Sequence, residues 1–331
     1  MGDVARLAGV SQSTVSRVLN DTAPALVTEE TRQRIMDAVE TLGYQPNILA
    51  RSLRTQQTQM IAVMIGDISN AFYHPVVRAI QDVAYLNDYD VLISNGDHIY
   101  ENEKRFLQTV LRRPVDGVIM APHRLSVEDI DQFIRRSHIP VVLIGAQLQH
   151  PQIDGVGGTS QPATYEAITW LIQAKGYRRI GFIGVESDMV PGPARYLGYE
   201  RAMTDAGLSI EPGFVQKAKF TVEGGAEAMR MYLQQSNPPA VVFAANSLMA
   251  VGAILTAKAA GLRVPEDIGV MGFDDIPEAL IVDPNLTTVA RDLPAIGTQV
   301  ASMLFERITG KETGPGRFVQ SGWRIVERQS V

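Results

Sequence analysis

Four side chains in a twelve-residue stretch near the start of the chain could carry out sequence readout on nucleic acid. The stretch is GVSQSTVSRVLN, residues 9 to 20, and it places Gln12, Ser13, Ser16 and Arg17 among small apolar residues. Gln can bind adenine through two hydrogen bonds, Arg can bind guanine, and Ser or Thr can bind phosphate oxygens. The pattern is a candidate DNA-reading helix, although a run of Ser and Thr can also simply solvate an exposed helix.

The elements that must position these side chains are helices, because residues 1 to 59 contain no strand pattern. We expect a helix over residues 1–8, a second with Ser11 as N-cap running to Leu19, and a third from Thr28 to Gly43. Ala5, Gly9 and Val15 have the spacing of a helix-turn-helix, with Gly9 free to adopt a positive φ in the turn. The apolar positions expected to form its core are Val4, Ala8, Val10, Val15, Val18, Ile35, Val39 and Leu42.

Composition limits the remaining possibilities. A chain of 331 residues, 45% apolar and 20% charged, is long enough for two or three domains. It has no Cys, no apolar run of about 18 residues and no leader pattern, so we expect a cytoplasmic protein without a membrane partner. The net charge of -6 indicates that any contact with DNA is local.

From residue 60 onward, short β-branched runs alternate with longer helical patterns. The runs that predict buried strands are residues 60–66, 89–94, 116–121, 140–145, 179–185, 240–245 and 268–273. Strands and helices that alternate in this way predict doubly wound parallel sheets, and seven strands favour two similar subdomains. The sequence DGVGGTSQP, from Asp154, is rich in Gly, Ser and Pro, so we expect the break between the subdomains there.

Several motifs, in order along the chain, resemble the LacI/GalR family of bacterial transcriptional regulators. They are DVARLAGVSQSTVSRVLN, TEETRQRI, LGYQPN, ARSLR, GDISNAFY, GYRRIGFIG, RYLGYERAM, FAANSLMAVGAI, IGVMGFDD and LTTV. The resemblance implies an all-α helix-turn-helix headpiece at 1–46, a hinge helix and linker at 47–59, and a core with a periplasmic-binding-protein-like fold at 60–331. Within the core, it implies an N-subdomain of about 60–157 and 290–318 and a C-subdomain of about 158–289 and 319–331.

The resemblance also implies a homodimer that binds a near-palindromic double-stranded operator. Gln12 and Ser13 would choose bases beside Arg17, and a hinge helix within 47–54 would place Leu53 in the minor groove. Leu53 could instead pack its side chain on the core. The residues expected to contact DNA are Ser11, Gln12, Ser13, Thr14, Ser16, Arg17, Asn20, Tyr44, Asn47, Ala50, Arg51 and Leu53.

For the effector, the resemblance implies a site beyond the carboxyl ends of the strands. Its expected residues are Phe72, Tyr73, Arg195, Phe220, Asn246 and Asp274. Asp274 can accept from vicinal hydroxyls, Arg195 can donate a planar fork of hydrogen bonds, and aromatic rings can stack on a pyranose, so a sugar or sugar derivative is the expected effector. Phe72 and Phe220 could also be ordinary core residues. The chain departs from the family pattern at Asn246-Ser247 and at Gly145-Ala146, which would suit a larger or less polar effector.

Two other classes of protein remain to be weighed. A free solute-binding protein for sugars would share the two-lobed core without DNA activity, but it would have no use for residues 1 to 54. An enzyme is disfavoured because common catalytic motifs are absent, and we expect no catalytic residue, cofactor or metal. DGVGGTS resembles a dinucleotide loop but has Ser160 in place of the third Gly and follows no convincing strand. The five His residues lack metal-ligand spacing and are expected at the surface or in loops. No leucine heptad ends the chain, so we expect a dimer.

Overall fold

The computed structural model describes residues 1–19, 27–44, 57–145, 150–184 and 192–331. The chain forms two compact units, Met1–Gln59 and Met60–Val331. Five of the residues expected to contact DNA lie outside the described residues: Asn20, Asn47, Ala50, Arg51 and Leu53. The expected hinge helix also lies outside them. None of the helices in the described residues combines the length and apolar character needed to cross a membrane.

The first unit contains the three expected helices, α1 Gly2–Ala8, α2 Gln12–Leu19 and α3 Glu29–Leu42. Ser11 precedes α2, and its Oγ accepts a hydrogen bond from the Thr14 N–H at 3.2 Å. Thr28 caps α3 in the same way by accepting from the Thr31 N–H at 3.3 Å. Both predicted N-caps are therefore confirmed, and each satisfies an amide that the first helical turn leaves unpaired.

A small apolar core joins the three helices. Its buried residues are Val4, Ala5, Ala8, Val15, Val18, Ile35 and Ala38, with Val10 and Val39 partly buried against them. The expectation for Leu42 was wrong, because its side chain is 45% exposed. Leu42 lies seven residues after Ile35, so it drifts about 20° from the buried stripe, and α3 ends directly after it.

The second unit is built on two six-stranded sheets. The first sheet has strands β1 Met60–Ile65, β2 Asp90–Asn95, β3 Gly117–Met120, β4 Val141–Ile144, β5 Asp154–Gly157 and β11 Phe318–Gln320, in the order β11-β5-β4-β3-β1-β2. All of its pairings are parallel. Its helices are α4 Tyr73–Tyr85, α5 Tyr100–Arg112, α6 Val127–Ser137 and α11 Leu293–Ile308. We call this sheet with its helices the first lobe.

The second sheet has the corresponding order of strands, β12-β10-β9-β8-β6-β7. Its strands are β6 Ile180–Gly184, β7 Val215–Lys217, β8 Val241–Ala244, β9 Gly269–Phe273, β10 Thr287–Ala290 and β12 Arg324–Val326. Only β12 runs antiparallel to its neighbour among these pairings. The helices are α7 Ser160–Gln173, α8 Gly192–Asp205, α9 Val222–Leu233 and α10 Ser247–Ala259, with a 3-10 helix at Pro277–Leu280. This is the second lobe, and the doubly wound fold class is confirmed.

The burial of β1 shows how the sequence produces this architecture. Ile61, Val63 and Ile65 pack into the cluster that includes α4 and α11 residues. Ala62 and Met64 pack into the cluster on the opposite face. Both faces of the strand are covered by helices, so a continuous apolar run, without polar alternation, is the pattern that this position requires.

The segment expected to contain the break between the subdomains also contains a strand, which ends directly before the connection. Asp154–Gly157 is the buried strand β5. The Asp154 carboxylate, fully buried, lies 2.7 Å from the guanidinium nitrogens of both Arg307 and Arg317, and these distant partners neutralise its charge. The first four residues of DGVGGTS thus form β5 itself, and α7 begins at its last residue, Ser160.

Three short connections join the two lobes. They are residues 158–159 between β5 and α7, residues 291–292 between β10 and α11, and residues 321–323 between β11 and β12. The third connection contacts the end of the strand that leads into the first, because the Ser321 N–H donates to the Gly157 carbonyl at 2.7 Å. The connections therefore form a hinge region at one edge of the two sheets.

Candidate functional site

One face of α2 carries the polar side chains that were expected to read DNA. Gln12, Ser13 and Arg17 are exposed, whereas Val15 and Val18 are buried on the opposite face. At about 100° per residue, Gln12, Ser13 and Arg17 fall within an arc of roughly 140°. The Ser11 hydroxyl also lies 2.7 Å from that of Ser13 and 2.8 Å from that of Thr14, which orders the start of the helix. Thr14 and Ser16 are half-buried beside this arc.

Arg17 differs electrostatically from other arginines of the first unit. Arg6 pairs with Asp3 at 3.3 Å, and Arg32 pairs with Glu29 at 3.9 Å, each within one helix. Within the described part of the unit, no carboxylate lies within 4.0 Å of Arg17. A cation on an exposed helix face without such a partner suits contact with a phosphate or a guanine.

Tyr44, the remaining described residue of the expected DNA contacts, follows α3 directly. Its ring is partly buried against the apolar core of the first unit, and its N–H donates to the Val39 carbonyl at 2.9 Å. The Gly43 residue before it adopts φ 56°, a left-handed conformation that glycine adopts without strain. The end of α3 therefore fixes where Tyr44 emerges from the core.

In the second unit, the six residues expected to bind the effector line a single cavity between the two lobes. We call it the interlobe cavity. Its lining includes Phe72 and Tyr73 from the first lobe and Arg195, Phe220, Asn246 and Asp274 from the second lobe. These residues come from segments that follow or lie near the carboxyl ends of strands, where ligands bind in open α/β folds.

An ion pair lies in the wall of this cavity. An Arg195 guanidinium nitrogen lies 3.3 and 3.4 Å from the two carboxylate oxygens of Asp274, and both side chains are buried. The guanidinium also donates to the Ala245 carbonyl and lies 3.9 Å above the Phe273 ring. Asp274 has φ 88°, which a non-glycine residue rarely adopts, so the end of β9 holds its carboxylate in place at an energetic cost.

Asn246 has a structural role in addition to its place in the lining. Its Oδ1 accepts from the Met249 N–H at 2.8 Å and caps α10, and its Nδ2 donates to the Phe220 carbonyl at 3.3 Å. The neighbouring Ser247 hydroxyl donates to the Phe273 carbonyl at 2.7 Å. Ser247 therefore points into the second lobe, and one amide hydrogen of Asn246 remains for a ligand.

Two histidines that the sequence placed in loops come together in the cavity lining. The His98 and His123 rings meet edge to face with centroids 4.2 Å apart. A Cβ on Gly66 would lie 2.5 Å from His98, 2.9 Å from His123 and 2.8 Å from the Tyr73 hydroxyl, so only glycine leaves room for the cluster. Burial lowers the pKa of His98, lowers that of His123 to about 3, and raises that of Tyr73. All three side chains are therefore neutral at pH 7.

The buried carboxylate of Glu103 holds the loop that carries His123. It accepts from the backbone N–H groups of His123, Arg124 and Leu125 at 2.9, 3.0 and 3.0 Å. Glu103 is fully buried in α5, so it ties the loop after β3 to the helix that follows β2. This positioning residue was not identified from the sequence.

Other cavity residues were missed as well. They are Asn70, His98, His123, Gly157, Gly158, Ser160 and Arg291. Each lies at or after the carboxyl end of a strand, which is the signal that could have found them. Neither β5 nor β10 was among the predicted strands, so the carboxyl ends of these two strands were not expected to contribute to the cavity. Among the residues that the structure describes, no group of three or more His, Asp or Glu side chains could hold a metal ion.

A helix-turn-helix unit joined to a two-lobed core with an interlobe cavity defines a ligand-responsive DNA-binding regulator. Residues 1–47 match the model described as bacterial regulatory proteins, lacI family, and residues 171–331 match the periplasmic binding protein-like domain. The chain belongs to the lacI family of bacterial regulatory proteins. It is a ligand-responsive transcriptional regulator, and its family is not one of enzymes.

Individual relatives match over almost the entire chain. The HTH-type transcriptional regulator RegA of Clostridium saccharobutylicum is 36% identical, covering 99% of this chain and 98% of its own. Catabolite control protein A of Priestia megaterium is 34% identical with the same coverage. The structure of a transcriptional regulator CelR-cellobiose complex matches with a TM-score of 0.74 and 29% identity, covering 99% of this chain and 98% of its own.

Proposed function

We propose that the chain represses transcription as a homodimer on a near-palindromic operator, with α2 of each protomer in the major groove. Gln12 and Ser13 select bases, Arg17 contacts a guanine or a phosphate, and Ser11, Thr14, Ser16 and Tyr44 support the contact with the backbone. The single observation that carries this proposal is the exposed polar face of α2 opposite Val15 and Val18.

The proposal extends to residues beyond the described part of the chain on sequence resemblance. Asn20, Asn47, Ala50 and Arg51 complete the DNA contacts, and Leu53 enters the minor groove from a hinge helix. The domains are then the headpiece at 1–46, the hinge and linker at 47–59, and the core at 60–331. The protein acts in the cytoplasm and joins the nucleoid when bound to its operator.

Exposed apolar residues on both lobes support the homodimer. Tyr85 and Leu86 at the end of α4 are 80% and 81% exposed, and Leu92 and Ile93 lie on the edge strand β2 beyond them. Ile281 of the second lobe is 79% exposed. Large apolar side chains left exposed on both lobes are available to pair with a second copy of the chain.

For the effector, we propose a sugar or sugar derivative bound in the interlobe cavity. The support is that Phe72, Tyr73, Arg195, Phe220, Asn246 and Asp274 line one cavity and combine aromatic faces with hydrogen-bonding groups. The related regulator described as a CelR-cellobiose complex binds a disaccharide in a similar fold. Binding there would alter the relative orientation of the lobes and, through the dimer, the spacing of the two headpieces.

Selection of duplexes from a random library by the full chain tests the DNA part of the proposal. We expect an enriched near-palindrome, and we expect Arg17→Ala to weaken its binding by about 1–3 kcal/mol for each half-site, as measured by fluorescence anisotropy. Arg34→Ala is the matched control, because Arg34 is an exposed arginine of α3 and not of α2. The proposal is rejected if the selection enriches no common sequence, or if Arg17→Ala and Arg34→Ala lose equal affinity for the enriched duplex.

A further inference from the structure

Arg291 lies where the three connections between the lobes meet, and it lines the interlobe cavity. It belongs to the second connection. Its guanidinium lies 3.4 Å from the Gly158 carbonyl and 3.4 Å from the Ser160 hydroxyl at the first connection. It lies 3.5 Å from the Ser321 hydroxyl at the third. All of these contacts are long, and all are to neutral oxygens, so none of them compensates the charge.

The charge of Arg291 is unbalanced within the part of the chain that the structure describes. No described carboxylate lies within 4.0 Å of its guanidinium, and its Nε is buried without a hydrogen-bond partner. Asp274, the nearest acid in the lining, is paired with Arg195. Burial lowers the pKa of Arg291, yet an arginine remains charged in proteins. Arg291 is partly buried, and a cation withdrawn from water without a counter-ion is unfavourable unless a partner binds to it.

The other groups of the lining do not supply a negative charge. Arg195 and Asp274 cancel each other, and the His98 and His123 rings are neutral at pH 7 because burial lowers the pKa of each. Two helices begin at the cavity, α7 at Ser160 and α10 after Asn246, and each brings the positive end of its dipole there. The described lining therefore has a net charge of about +1 with further positive potential from the helix ends.

We propose that the effector carries an oxyanion, a phosphate ester or a carboxylate, and that Arg291 binds it. This rests on the proposed function of the cavity as the effector site. The planar guanidinium matches two oxygens of either anion, and both anions would supply the counter-charge that is missing from the cavity. The ligand class is thus an acidic sugar derivative in preference to a neutral sugar.

The place of Arg291 links this anion to the hinge region. A strong bond to the ligand would compete with its long contacts to Gly158, Ser160 and Ser321, which span the other two connections. Occupancy of the cavity and the arrangement of the lobes are therefore coupled through one side chain. Neutral ligands leave the guanidinium without a counter-charge, so their binding would change the arrangement of the lobes less.

Thermal unfolding of the full chain tests the anion site without knowledge of the natural ligand. In chloride buffer, we expect Arg291→Gln to raise the Tm, because it removes a partly buried charge that has no carboxylate partner among the described residues. At equal ionic strength, inorganic phosphate should raise the Tm of the parent chain above its value in chloride, and Arg291→Gln should weaken this phosphate binding about tenfold to a hundredfold. Arg324→Gln, which changes an exposed arginine of β12, is the matched control and should behave like the parent.

The contrary results are equally specific. A lower Tm for Arg291→Gln in chloride would show that Arg291 has a structural counter-ion. An equal effect of phosphate and chloride on the parent chain, or an equal phosphate effect in Arg291→Gln, would overturn the anion site.

Three matched sugars then identify the source of the oxyanion. D-glucose, D-glucose 6-phosphate and D-glucuronate differ mainly at one substituent, and their thermal shifts and calorimetric affinities are compared on the full chain. A preference for the phosphate identifies a phosphate ester, a preference for the glucuronate identifies a carboxylate, and no preference for either over glucose overturns the proposal. Operator binding is measured separately. Phosphate stabilisation in a chain that selects no operator would reject the proposed function and leave the anion site standing.

Discussion

Replacing Asp274 by Asn should destabilise the second unit strongly, because it strands a buried cation. The Arg195 guanidinium would keep its contact with the Ala245 carbonyl and its position over Phe273, but it would lose the only described carboxylate within 4.0 Å. The two side chains are 6% and 10% exposed, so water cannot replace the lost partner. Asp and Asn have nearly the same size, so the expected loss of stability is electrostatic in origin.

The magnitude follows from the geometry of the pair. Removing one partner of a buried ion pair destabilises a protein by about 3–5 kcal/mol. The distances of 3.3 and 3.4 Å are long for such a pair, and Asn retains an oxygen that can accept, so we expect the lower end, about 3 kcal/mol. The second unit, Met60–Val331, is slightly longer than 250 residues, so at about 2 °C per kcal/mol this corresponds to a fall in Tm of roughly 6 °C.

A double-mutant cycle separates this effect from loss of packing. Arg195→Met combined with Asp274→Asn removes the stranded charge, so the double variant should be more stable than Asp274→Asn alone, by at least about 1 kcal/mol in thermal or urea unfolding. Asp275→Asn is the matched control. It breaks the neighbouring pair with Arg328, 2.6 Å apart, and adding Arg195→Met to it should bring no recovery.

Two results would refute the electrostatic argument. One is a loss below about 1 kcal/mol for Asp274→Asn, which would mean that the pair contributes no more than an exposed one. The other is a double variant that is less stable than either single variant, which would mean that packing dominates.

Two further predictions concern buried groups, Asp154, whose pKa the hydrogen bonds from Arg307 and Arg317 lower against the effect of burial, and His123, whose pKa burial lowers. Asp154→Asn should lower the free energy of unfolding in urea by about 3 kcal/mol or more, because Arg307 and Arg317 lose a shared buried carboxylate. The pKa of Asp154 is lowered to about 2, so this stabilisation is present above about pH 4 and is lost as the pH falls towards 2. Burial lowers the pKa of His123 to about 3 in the folded chain, so between pH 7 and pH 5 this side chain becomes protonated only in the unfolded chain. The parent chain should therefore lose stability over this pH range, and His123→Phe should lose about 2 kcal/mol less. Equal stability of Asp154→Asn and the parent at pH 7, or parallel pH profiles for His123→Phe and the parent, would contradict them.

The order of secondary structure could be predicted where the cause is local. The continuous apolar run of β1, the caps Ser11 and Thr28 and the apolar periodicity of α4 each depend on residues close together in the chain. β5 could not be predicted, because Asp-Gly-Val-Gly is a poor strand sequence. It is held by Arg307 and Arg317, more than 150 residues away, and by parallel pairing on both sides.

Sequence prediction of the interlobe cavity was limited in the same way, because distant residues form it. Arg195 and Asp274 were found because the motifs that contain them resemble those of a known family. Arg291, His98 and His123 have no such motif, and their importance comes from convergence across almost two hundred residues. A charge without a counter-charge is a property of the assembled cavity, so it can be recognised only once Asp274 is seen to pair with Arg195.

The central claim is that the interlobe cavity and the DNA-reading helix are energetically coupled, and reciprocal titration tests it most directly. The sugar that gives the largest thermal shift is titrated by calorimetry into the full chain with and without its selected operator. We predict that the operator changes the affinity for the sugar by a factor between about 5 and 150, and that the sugar changes the affinity for the operator by the same factor. Equal sugar affinities with and without the operator would contradict the coupling.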